Sequence, residues 1–271
     1  MITLTASDGT ELERLRRAFY RARCMFTIST GRTATETMAR LANLSPEVRA
    51  YHEPEPKLRN QFQEAYRHVR TSPESFTRLL DYARCEIVGK AALEDKVYVE
   101  GPALASFAPA IAQMLPGSKF LLMHRHPAGV VRSCMRRGHY SGHSWDRYKQ
   151  VPLPEDPASE TWATWDAFSK NCWRWNAINS FLLEFVDSIS PDRVLWMPFR
   201  EFVDDESGRW RKLFSFLDVE PPLPDRVREV LQVRHNKQGE GQFPRFEEWS
   251  DFQKNTMYEL CGHTMQRLGY V

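Results

Sequence analysis

The sequence predicts an α/β domain with a mostly parallel central sheet, because short apolar runs recur between longer segments of helical periodicity. The chain has 271 residues, which is the length of one large domain. With 42% hydrophobic and 12% aromatic residues, it can bury a sizeable core without disulfides or a structural metal. We therefore predict a single domain over residues 1–271, with 1–23 as an N-terminal extension.

Five apolar runs are predicted to be strands, and most of them are followed by an amphipathic segment. The predicted strands are 24–29, 48–53, 96–100, 119–124 and 193–199. The run at 48–53 is the weakest of the five, and Pro54 and Pro56 end it because proline cannot donate to a strand ladder. The predicted helices between and after the strands are 34–44, 102–115, 127–137 and 208–217. This alternation predicts a series of β-α-β units.

Three longer segments are also predicted to be helical. The stretch 57–95 carries a helix start at 72–75, and 162–185 has apolar residues at helical spacing. A C-terminal helix is predicted to begin after Ser250 and to end near Gly269. By contrast, 138–160 is rich in Pro, Gly, Ser and His and is longer than a usual connector. We therefore interpret 138–160 as a candidate functional loop.

Charge and cysteine content restrict the class of partner. The 37 Lys and Arg residues nearly balance the 35 Asp and Glu residues, so no global field attracts nucleic acid or an anionic membrane. The five cysteines are odd in number and scattered, with no C-x-x-C pair, as in a reduced intracellular protein. The N-terminus lacks the apolar run of a signal peptide, and no run of 18 apolar residues occurs. We expect a cytoplasmic protein with no nucleic-acid or membrane partner, and no feature indicates its oligomeric state.

A candidate anion-binding loop follows the first predicted strand. The sequence STGRTATET at 29–37 leads directly into a helical pattern, and a helix N-terminus presents unpaired amides and a partial positive charge. Gly31 permits a turn, Arg32 adds a fixed charge, and Thr33 and Thr35 add hydroxyl groups. The loop lacks the second glycine and the lysine of a Walker motif, which disfavours a nucleoside-triphosphate hydrolase. A simpler interpretation is that Thr30 and Thr33 only cap the helix.

A second candidate anion site follows the predicted strand 119–124. Arg125 stands at its carboxyl end, and Ser133 lies two turns into the next helix. Ligands in open α/β sheets bind at the carboxyl ends of the strands, so this site and the loop at 29–37 are predicted to open onto one crevice. An arginine fork with a nearby hydroxyl suits a phosphate monoester. The alternative is that the arginines of this helix form an ordinary solvated face.

Together the two motifs resemble those of a known family. A strand-loop-helix of the form G-R-[ST]-x-T, followed later by a strand, R-x-P and a Ser eight residues after that Arg, is similar to the sulfotransferases that use 3′-phosphoadenosine 5′-phosphosulfate (PAPS). The resemblance extends to VRAYHEP, to VLWMPFREFVDDESGRWRKLFSFLDV and to the C-terminal WSDFQ…CGHTMQRLGY, and it covers roughly 25–270. It implies a P-loop-like α/β fold, with 54–92 and 138–160 as acceptor-site or lid segments.

The resemblance also implies roles for individual residues. The loop that grips the 5′-phosphosulfate would consist of Gly31, Arg32, Thr33, Ala34, Thr35, Glu36 and Thr37. Arg125 and Ser133 match the pair that holds the 3′-phosphate, and Lys237 lies in a segment that resembles a loop closing over the nucleotide. Three positions depart from the family pattern. His126 replaces the more usual Asp beside Arg125. Ala34 replaces the usual Gly, and Glu36 replaces the usual Ser or Thr, so its carboxylate has to point away from the donor.

In such a reaction an acceptor hydroxyl or amine attacks in line and adenosine 3′,5′-bisphosphate leaves. Arg32 would stabilise the leaving phosphate. The general base is expected at the end of the second strand, where His52 and Glu53 point to opposite faces. We predict Glu53 as the base, because an acidic residue before proline resembles the glutamate branches of the family. His52 is the alternative, and Glu100 is a further candidate.

Other interpretations remain open at this stage. Four histidines in 124–143 do not have metal-site spacing, so no metal is predicted. The acceptor is predicted to be a small molecule. The competing hypotheses are a P-loop nucleotide kinase, and a non-catalytic module that binds anions or nucleic acid through the basic helix at 125–137 with a steep dependence on salt.

Overall fold

The computed structural model describes residues 6–102, 104–204, 208–233 and 242–271, and over these ranges it has one five-stranded sheet. All strand pairs are parallel, and the order across the sheet is β2-β3-β1-β4-β5. The strands are β1 Cys24–Ile28, β2 Val48–His52, β3 Val97–Gly101, β4 Lys119–His124 and β5 Val194–Pro198. The predicted α/β class and all five predicted strands are therefore confirmed.

The strand order brings the carboxyl ends of β1 and β4 side by side at the centre of the sheet. Phe26 of β1 pairs in register with Phe120 of β4 on one side and with Glu100 of β3 on the other. The chain runs from β1 outward to β2, returns to β3 and then crosses to β4 on the other side of β1. The order reverses at β1, which is where open α/β sheets form a crevice for ligands.

Helices cover both faces of the sheet. In chain order they are α1 Ala6–Phe19, α2 Thr35–Ala42, α3 Phe62–His68, α4 Glu74–Leu93, α5 Ala108–Met114, α6 Pro127–Met135, α7 Ala158–Thr161, α8 Ala167–Asp187, α9 Phe199–Val203, α10 Trp210–Leu217, α11 Pro224–Gln232 and α12 Asp251–Arg267. Short 3₁₀ turns join several of them. Within the described ranges, no helix has the length and apolar character needed to cross a lipid bilayer.

The core has two layers, one on each face of the sheet, because successive residues of a strand point to opposite faces. Phe26 and Phe120 pack with α4, α5, α6, α8 and α12 on one face. Met25 and Leu121, their neighbours in the sequence, pack with α2, α10 and α11 on the other. All four side chains are buried, and full burial of each contributes on the order of 1.5–3 kcal/mol. The double cover explains why the strand sequences are almost continuously apolar.

The helices differ from prediction mainly at their starts. The segment 57–95 forms two helices, α3 and α4, and the break falls at the predicted start at 72–75. The long helix α8 begins at Ala167 rather than at residue 162, because the Asp166 side chain accepts a hydrogen bond from the Ser169 amide at 2.7 Å and caps it. Ser250 caps α12 as predicted.

Candidate active site

The loop after β1 turns sharply and leads into α2. Gly31, Arg32 and Ala34 have φ angles of 76°, 62° and 64°, all in the left-handed region. For a residue other than glycine this conformation costs roughly 1–2 kcal/mol. Ala34 is the N-cap of α2, and its side chain cannot accept a bond from the first turn. Left-handed residues of this kind turn successive amides toward a common concave side, which favours anion binding.

The capping role considered for Thr30 and Thr33 is wrong. The Thr30 hydroxyl donates to the Gly31 carbonyl at 3.1 Å instead of accepting from a helix amide. Thr33 is 0% exposed, and its hydroxyl has no hydrogen-bond partner in the structure. The helix starts one residue after Ala34, so neither threonine occupies the N-cap position. The Thr33 hydroxyl is therefore not used for capping, and no side chain caps the amides in the first turn of α2.

The two predicted anion sites lie against each other. The Arg125 guanidinium donates to the Arg32 carbonyl oxygen at 3.1 Å, and Nε of Arg32 donates to the Ser133 hydroxyl at 3.0 Å. Arg125 also lies over the ring of Phe199, with its guanidinium carbon 4.1 Å from the ring centroid. Gly129 allows Arg125 to lie close to the first turn of α6, since a Cβ there would stand 2.5 Å from the Arg125 Nε atom.

One cavity of about 690 Å³ is shared by both sites. Its walls come from the first turn of α2, from α6, from the start of α9 and from the end of α11. Its lining includes the predicted residues Arg32, Ala34, Thr35, Glu36, Thr37, His52, Arg125 and Ser133. A cavity of this volume is suited to a ligand of nucleotide size.

The charges in this cavity favour an anion. Burial lowers the pKa of Arg125 below its usual range, and the positive charge of Arg32 lowers it further. Burial likewise lowers the pKa of Arg32, with a second contribution from Arg137. Glu36 is the carboxylate among the lining residues, and it pairs with Arg40 at 2.9 Å. Because the two guanidinium groups repel each other in a partly buried space, a bound anion would relieve the repulsion.

His52, the last residue of β2, lies beside the start of α2. Its Nε2 atom is 3.4 Å from the Thr35 hydroxyl, and its ring lines the cavity. Burial lowers the pKa of His52, although the charges of Glu53 and Glu36 partly offset this effect. The imidazole is therefore neutral near pH 7 and can accept a proton.

The two glutamates considered as bases have other partners. Glu53 forms an ion pair with Arg59 and lines a second, shallow cavity of about 470 Å³ together with Lys57, His52 and Glu36. Glu100 is 1% exposed and accepts bonds from Arg84 at 2.7 and 2.8 Å and from the Tyr98 hydroxyl at 2.7 Å. Neither glutamate is part of the larger cavity's lining.

The remaining predicted residues take less direct positions. Gly31 and Thr33 shape the loop but are not among the lining residues, and Lys237 lies outside the described residues. Of the two segments predicted near an acceptor, 54–92 contributes Lys57 and Arg59 to the smaller cavity, whereas none of the described side chains of 138–160 lines either cavity. Within the described part of the chain, no group of three or more histidine, cysteine, aspartate or glutamate side chains could hold a metal ion.

Sequence reasoning missed three contributors to the site. Phe199 follows β5, and the rule that strand ends converge at one edge could have identified it. Helix α8 contacts the main chain of both loops through Arg174 and Trp175. The Arg174 guanidinium donates to the Thr30 carbonyl at 3.2 Å, and the Trp175 indole donates to the Arg125 carbonyl at 2.9 Å. No sequence motif marks these two contacts, because they connect positions that are distant in the chain.

Known structures share this architecture. The sulfotransferase domain from the curacin biosynthetic pathway superposes with a TM-score of 0.54 at 14% identity, covering 92% of this chain and 98% of that one. A sulfotransferase from Mycobacterium avium gives a TM-score of 0.53 at 12% identity, with coverages of 91% and 76%. The sulfotransferase domain of a Synechococcus olefin synthase gives 0.52 at 13% identity, with coverages of 92% and 94%. At these identities the likeness concerns the fold alone.

Sequence comparison gives the family. No match was found among curated protein sequences. The model of the family described as "Sulfotransferase family" matches residues 24–225, which include β1 to β5 and both anion-site loops. Since this match covers well over half of the chain, the protein belongs to the sulfotransferase family.

Proposed function

We propose that the protein transfers a sulfuryl group from PAPS to a hydroxyl or amine of a small-molecule acceptor, without a metal. The observation that carries this proposal is the shared cavity, in which Arg32 and Arg125 come from two different loops and line one space of about 690 Å³. A donor with anionic groups at two positions would satisfy both guanidinium groups at once. A single small anion would leave one of the two uncompensated.

The residues fit the two ends of such a donor. Arg32 and the amides at the start of α2 would hold the 5′-phosphosulfate, because that helix start has no side-chain cap. Arg125 and Ser133 would hold the 3′-phosphate, and Phe199 offers a flat surface beside them. Glu36, which departs from the family pattern, is paired with Arg40 and so need not repel the donor. Lys237 stays a proposed contact on the resemblance alone.

The proposed chemistry is a direct displacement. The acceptor oxygen forms a bond to sulfur while the bond from sulfur to the phosphate oxygen breaks, and adenosine 3′,5′-bisphosphate leaves with the electron pair. The acceptor proton passes to the general base. Arg32 stabilises the negative charge that grows on the leaving oxygen, and loss of one such donor typically costs about 2.7–4 kcal/mol.

We propose His52 as the general base, in place of Glu53. His52 lines the donor cavity and also the smaller cavity beside it, so an acceptor in the smaller cavity would meet the donor at this ring. Its lowered pKa keeps the imidazole able to accept a proton. Glu53 is engaged by Arg59 and lines only the smaller cavity. The volume of about 470 Å³ beside His52 supports a small-molecule acceptor.

A binding comparison tests the proposed donor. Titration calorimetry with adenosine 3′,5′-bisphosphate is expected to give saturable binding with one nucleotide per chain and no requirement for Mg²⁺. A nucleotide kinase would instead prefer ATP with Mg²⁺, and a nucleic-acid-binding module would bind oligonucleotides with a steep salt dependence. Absence of bisphosphate binding would refute the proposal.

A transfer assay then tests the reaction itself. Radiolabelled PAPS is incubated with a library of small alcohols, phenols and amines, and labelled acceptor and bisphosphate are measured together. Equal amounts of both products are expected, since each transfer releases one bisphosphate. A cytoplasmic location is part of the proposal, and it is supported by five buried cysteines that are free thiols.

A further inference from the structure

Helix α8 contacts the main chain of both anion-site loops through two consecutive residues. Arg174 donates to the carbonyl of Thr30 at 3.2 Å, and Trp175 donates to the carbonyl of Arg125 at 2.9 Å. We propose that Arg174 and Trp175 are positioning residues that fix the separation of the two loops and thereby make the cavity selective for a nucleotide with two phosphate groups. This inference rests on the donor proposed above.

The contacts from α8 differ in kind from the contacts between the loops. The loops are also joined by Arg125 to the Arg32 carbonyl and by Arg32 to the Ser133 hydroxyl. In those bonds the donors are the guanidinium groups of Arg125 and Arg32, which would also donate to a bound anion. The bonds from α8 end on carbonyl oxygens, which accept hydrogen bonds and have no attraction for an anion. A bound donor therefore competes with the first set of bonds and leaves the second set intact.

Helix α8 is rigid enough to serve as a spacer. It has 21 residues, and its buried face belongs to the larger core cluster. Trp175 is 1% exposed, so its indole N–H needs a partner inside the protein, and the Arg125 carbonyl supplies it. Arg174 is anchored by a second bond, from its Nε atom to the Gln150 side-chain oxygen at 3.0 Å. This second bond links the helix to the predicted functional loop at 138–160.

The separation of the loops matters most for a ligand that uses both of them. Once one phosphate group is bound, the second binds as part of the same molecule, and its effective concentration depends on how well the second loop is placed. A loop that moves by about 1 Å can cost as much as about 100-fold in such a geometry. A ligand with one phosphate group contacts only one loop, so its affinity does not depend on the separation of the two loops.

Two tryptophans on α8 allow a matched test. Trp175→Phe removes the indole N–H that holds the Arg125 carbonyl. Trp173→Phe makes the same chemical change on the same helix, but the Trp173 indole donates to the Asp156 carboxylate at 2.9 Å instead of to a loop of the site. Each variant is titrated with adenosine 3′,5′-bisphosphate, adenosine 5′-monophosphate and adenosine 3′-monophosphate.

The expected pattern is specific to the bisphosphate. Trp175→Phe should weaken bisphosphate binding by about tenfold or more and monophosphate binding by less than about threefold. Trp173→Phe should leave all three affinities within about threefold of the wild-type values. Equal weakening of all three nucleotides by Trp175→Phe would indicate a general loss of structure and would overturn the proposal, as would unchanged bisphosphate binding.

A measurement without nucleotide separates this proposal from the proposed function. Amide hydrogen exchange is followed in peptides covering 30–37 and 126–130, in wild type, Trp175→Phe, Trp173→Phe and Arg174→Met. Trp175→Phe should speed exchange in the peptide 126–130 by about tenfold, and Arg174→Met should speed exchange in the peptide 30–37 by about the same factor. Trp173→Phe should change exchange in neither peptide. If the wild-type protein binds no bisphosphate, the proposed donor is wrong. If amide exchange is unchanged in Trp175→Phe and Arg174→Met, α8 does not fix the loops, whatever the donor is.

Discussion

The two ends of the candidate donor cavity present different kinds of hydrogen-bond donor. At the end near β1, three left-handed residues lead into α2, whose N-cap is an alanine that leaves the first turn uncapped. At the end near β4, His126 is the N-cap of α6, and its Nδ1 atom accepts a bond from the Ala128 amide at 3.2 Å. At the first end the Gly31 amide donates to the Ser29 hydroxyl at 2.9 Å, but the first turn of α2 has no side-chain cap. At the second end a side chain caps the first turn of α6, and the donors that line the cavity include the side chains of Arg125 and Ser133.

This difference matches the chemistry proposed for each end. Charge develops during the reaction at the 5′ end, and fixed main-chain donors stabilise it without reorganisation. At the 3′ end the charge of the phosphate is the same before and after transfer, so flexible side chains suffice. The strained loop is thus expected to affect turnover, and the ordinary helix start is expected to affect affinity.

The largest effect is expected at the proposed base beside the β1 end. His52→Gln should lower kcat by about 10²–10⁴, because general base catalysis is lost. Glu53→Gln should keep kcat within about threefold. Steady-state rates at saturating donor and acceptor measure both variants. A large loss in Glu53→Gln with full activity in His52→Gln would reinstate the glutamate predicted from the sequence.

The pH profile of the wild-type enzyme sharpens the same assignment. Burial lowers the pKa of His52, so the imidazole remains neutral and active as a base below the usual histidine range. The rate is therefore expected to stay flat from pH 8 downward and to fall only below about pH 6.5, as the ring becomes protonated. His52→Gln should abolish this acidic limb, which is measured as kcat against pH.

The two arginines test the comparison directly. Arg32→Ala should lower kcat by about 10²–10³, because the positive charge of Arg32 is proposed to stabilise the negative charge that grows on the leaving group. Arg125→Ala should mainly raise the KM for PAPS, by about tenfold or more, because the 3′-phosphate does not change during transfer. The control is the affinity of each variant for adenosine 3′,5′-bisphosphate. Equal effects of both substitutions on kcat would remove the distinction between a reacting end and a binding end.

Sequence reasoning found the local parts of the site and missed the long-range ones. Arg32, Arg125 and Ser133 stand in short motifs at strand ends, and their shared cavity follows from parallel strand order. The prediction of Glu53 as the base rests on its resemblance, as an acidic residue before proline, to the glutamate branches of the family, since strand alternation says only that His52 and Glu53 point to opposite faces. The ion pair with Arg59 and the left-handed φ of 51° at Glu53 depend on the chain beyond the strand.

Other parts of the site could not be inferred for a related reason. Glu100 resembles a catalytic carboxylate at a strand end, but Arg84, 16 residues earlier in α4, holds it as a buried ion pair. Trp175 has helical spacing typical of a core residue, and it is one, yet its indole also holds the Arg125 carbonyl. Such contacts are set by helix packing, for which the sequence contains no local pattern.

The β4 end has its own acid sensitivity. Burial lowers the pKa of His124, the last residue of β4, to about 4, and its Nδ1 atom lies 2.8 Å from the Tyr270 hydroxyl. The folded-state pKa is below the unfolded value near 6.5, so the unfolded chain binds more protons below that pH and stability falls on acidification. Between pH 7 and pH 5, His124 should account for a loss of about 2 kcal/mol. Urea unfolding at both pH values should show a smaller loss in His124→Gln, and an equal loss would contradict the assignment.

The smallest expected effects come from the backbone of the β1 end. Gly31→Ala should destabilise the protein by up to about 1.6 kcal/mol. Its φ of 76° is left-handed, which costs an alanine about 1–2 kcal/mol, and the lost freedom of the unfolded chain offsets about 0.4–1 kcal/mol of this, while a Cβ there meets no atom within 4 Å. Gly117→Ala is the matched control, since its site is equally open and its φ is ordinary, and it should be neutral or stabilising by up to about 1 kcal/mol. Ala34→Gly should act in the opposite direction to Gly31→Ala. It relieves left-handed strain of about 1–2 kcal/mol, offset by about 0.4–1 kcal/mol of added freedom in the unfolded chain. Urea unfolding of the three variants measures these differences in the free energy of unfolding. A destabilised Ala34→Gly variant would mean that the loop after β1 is not strained, and it would remove the contrast with the ordinary helix start at the β4 end.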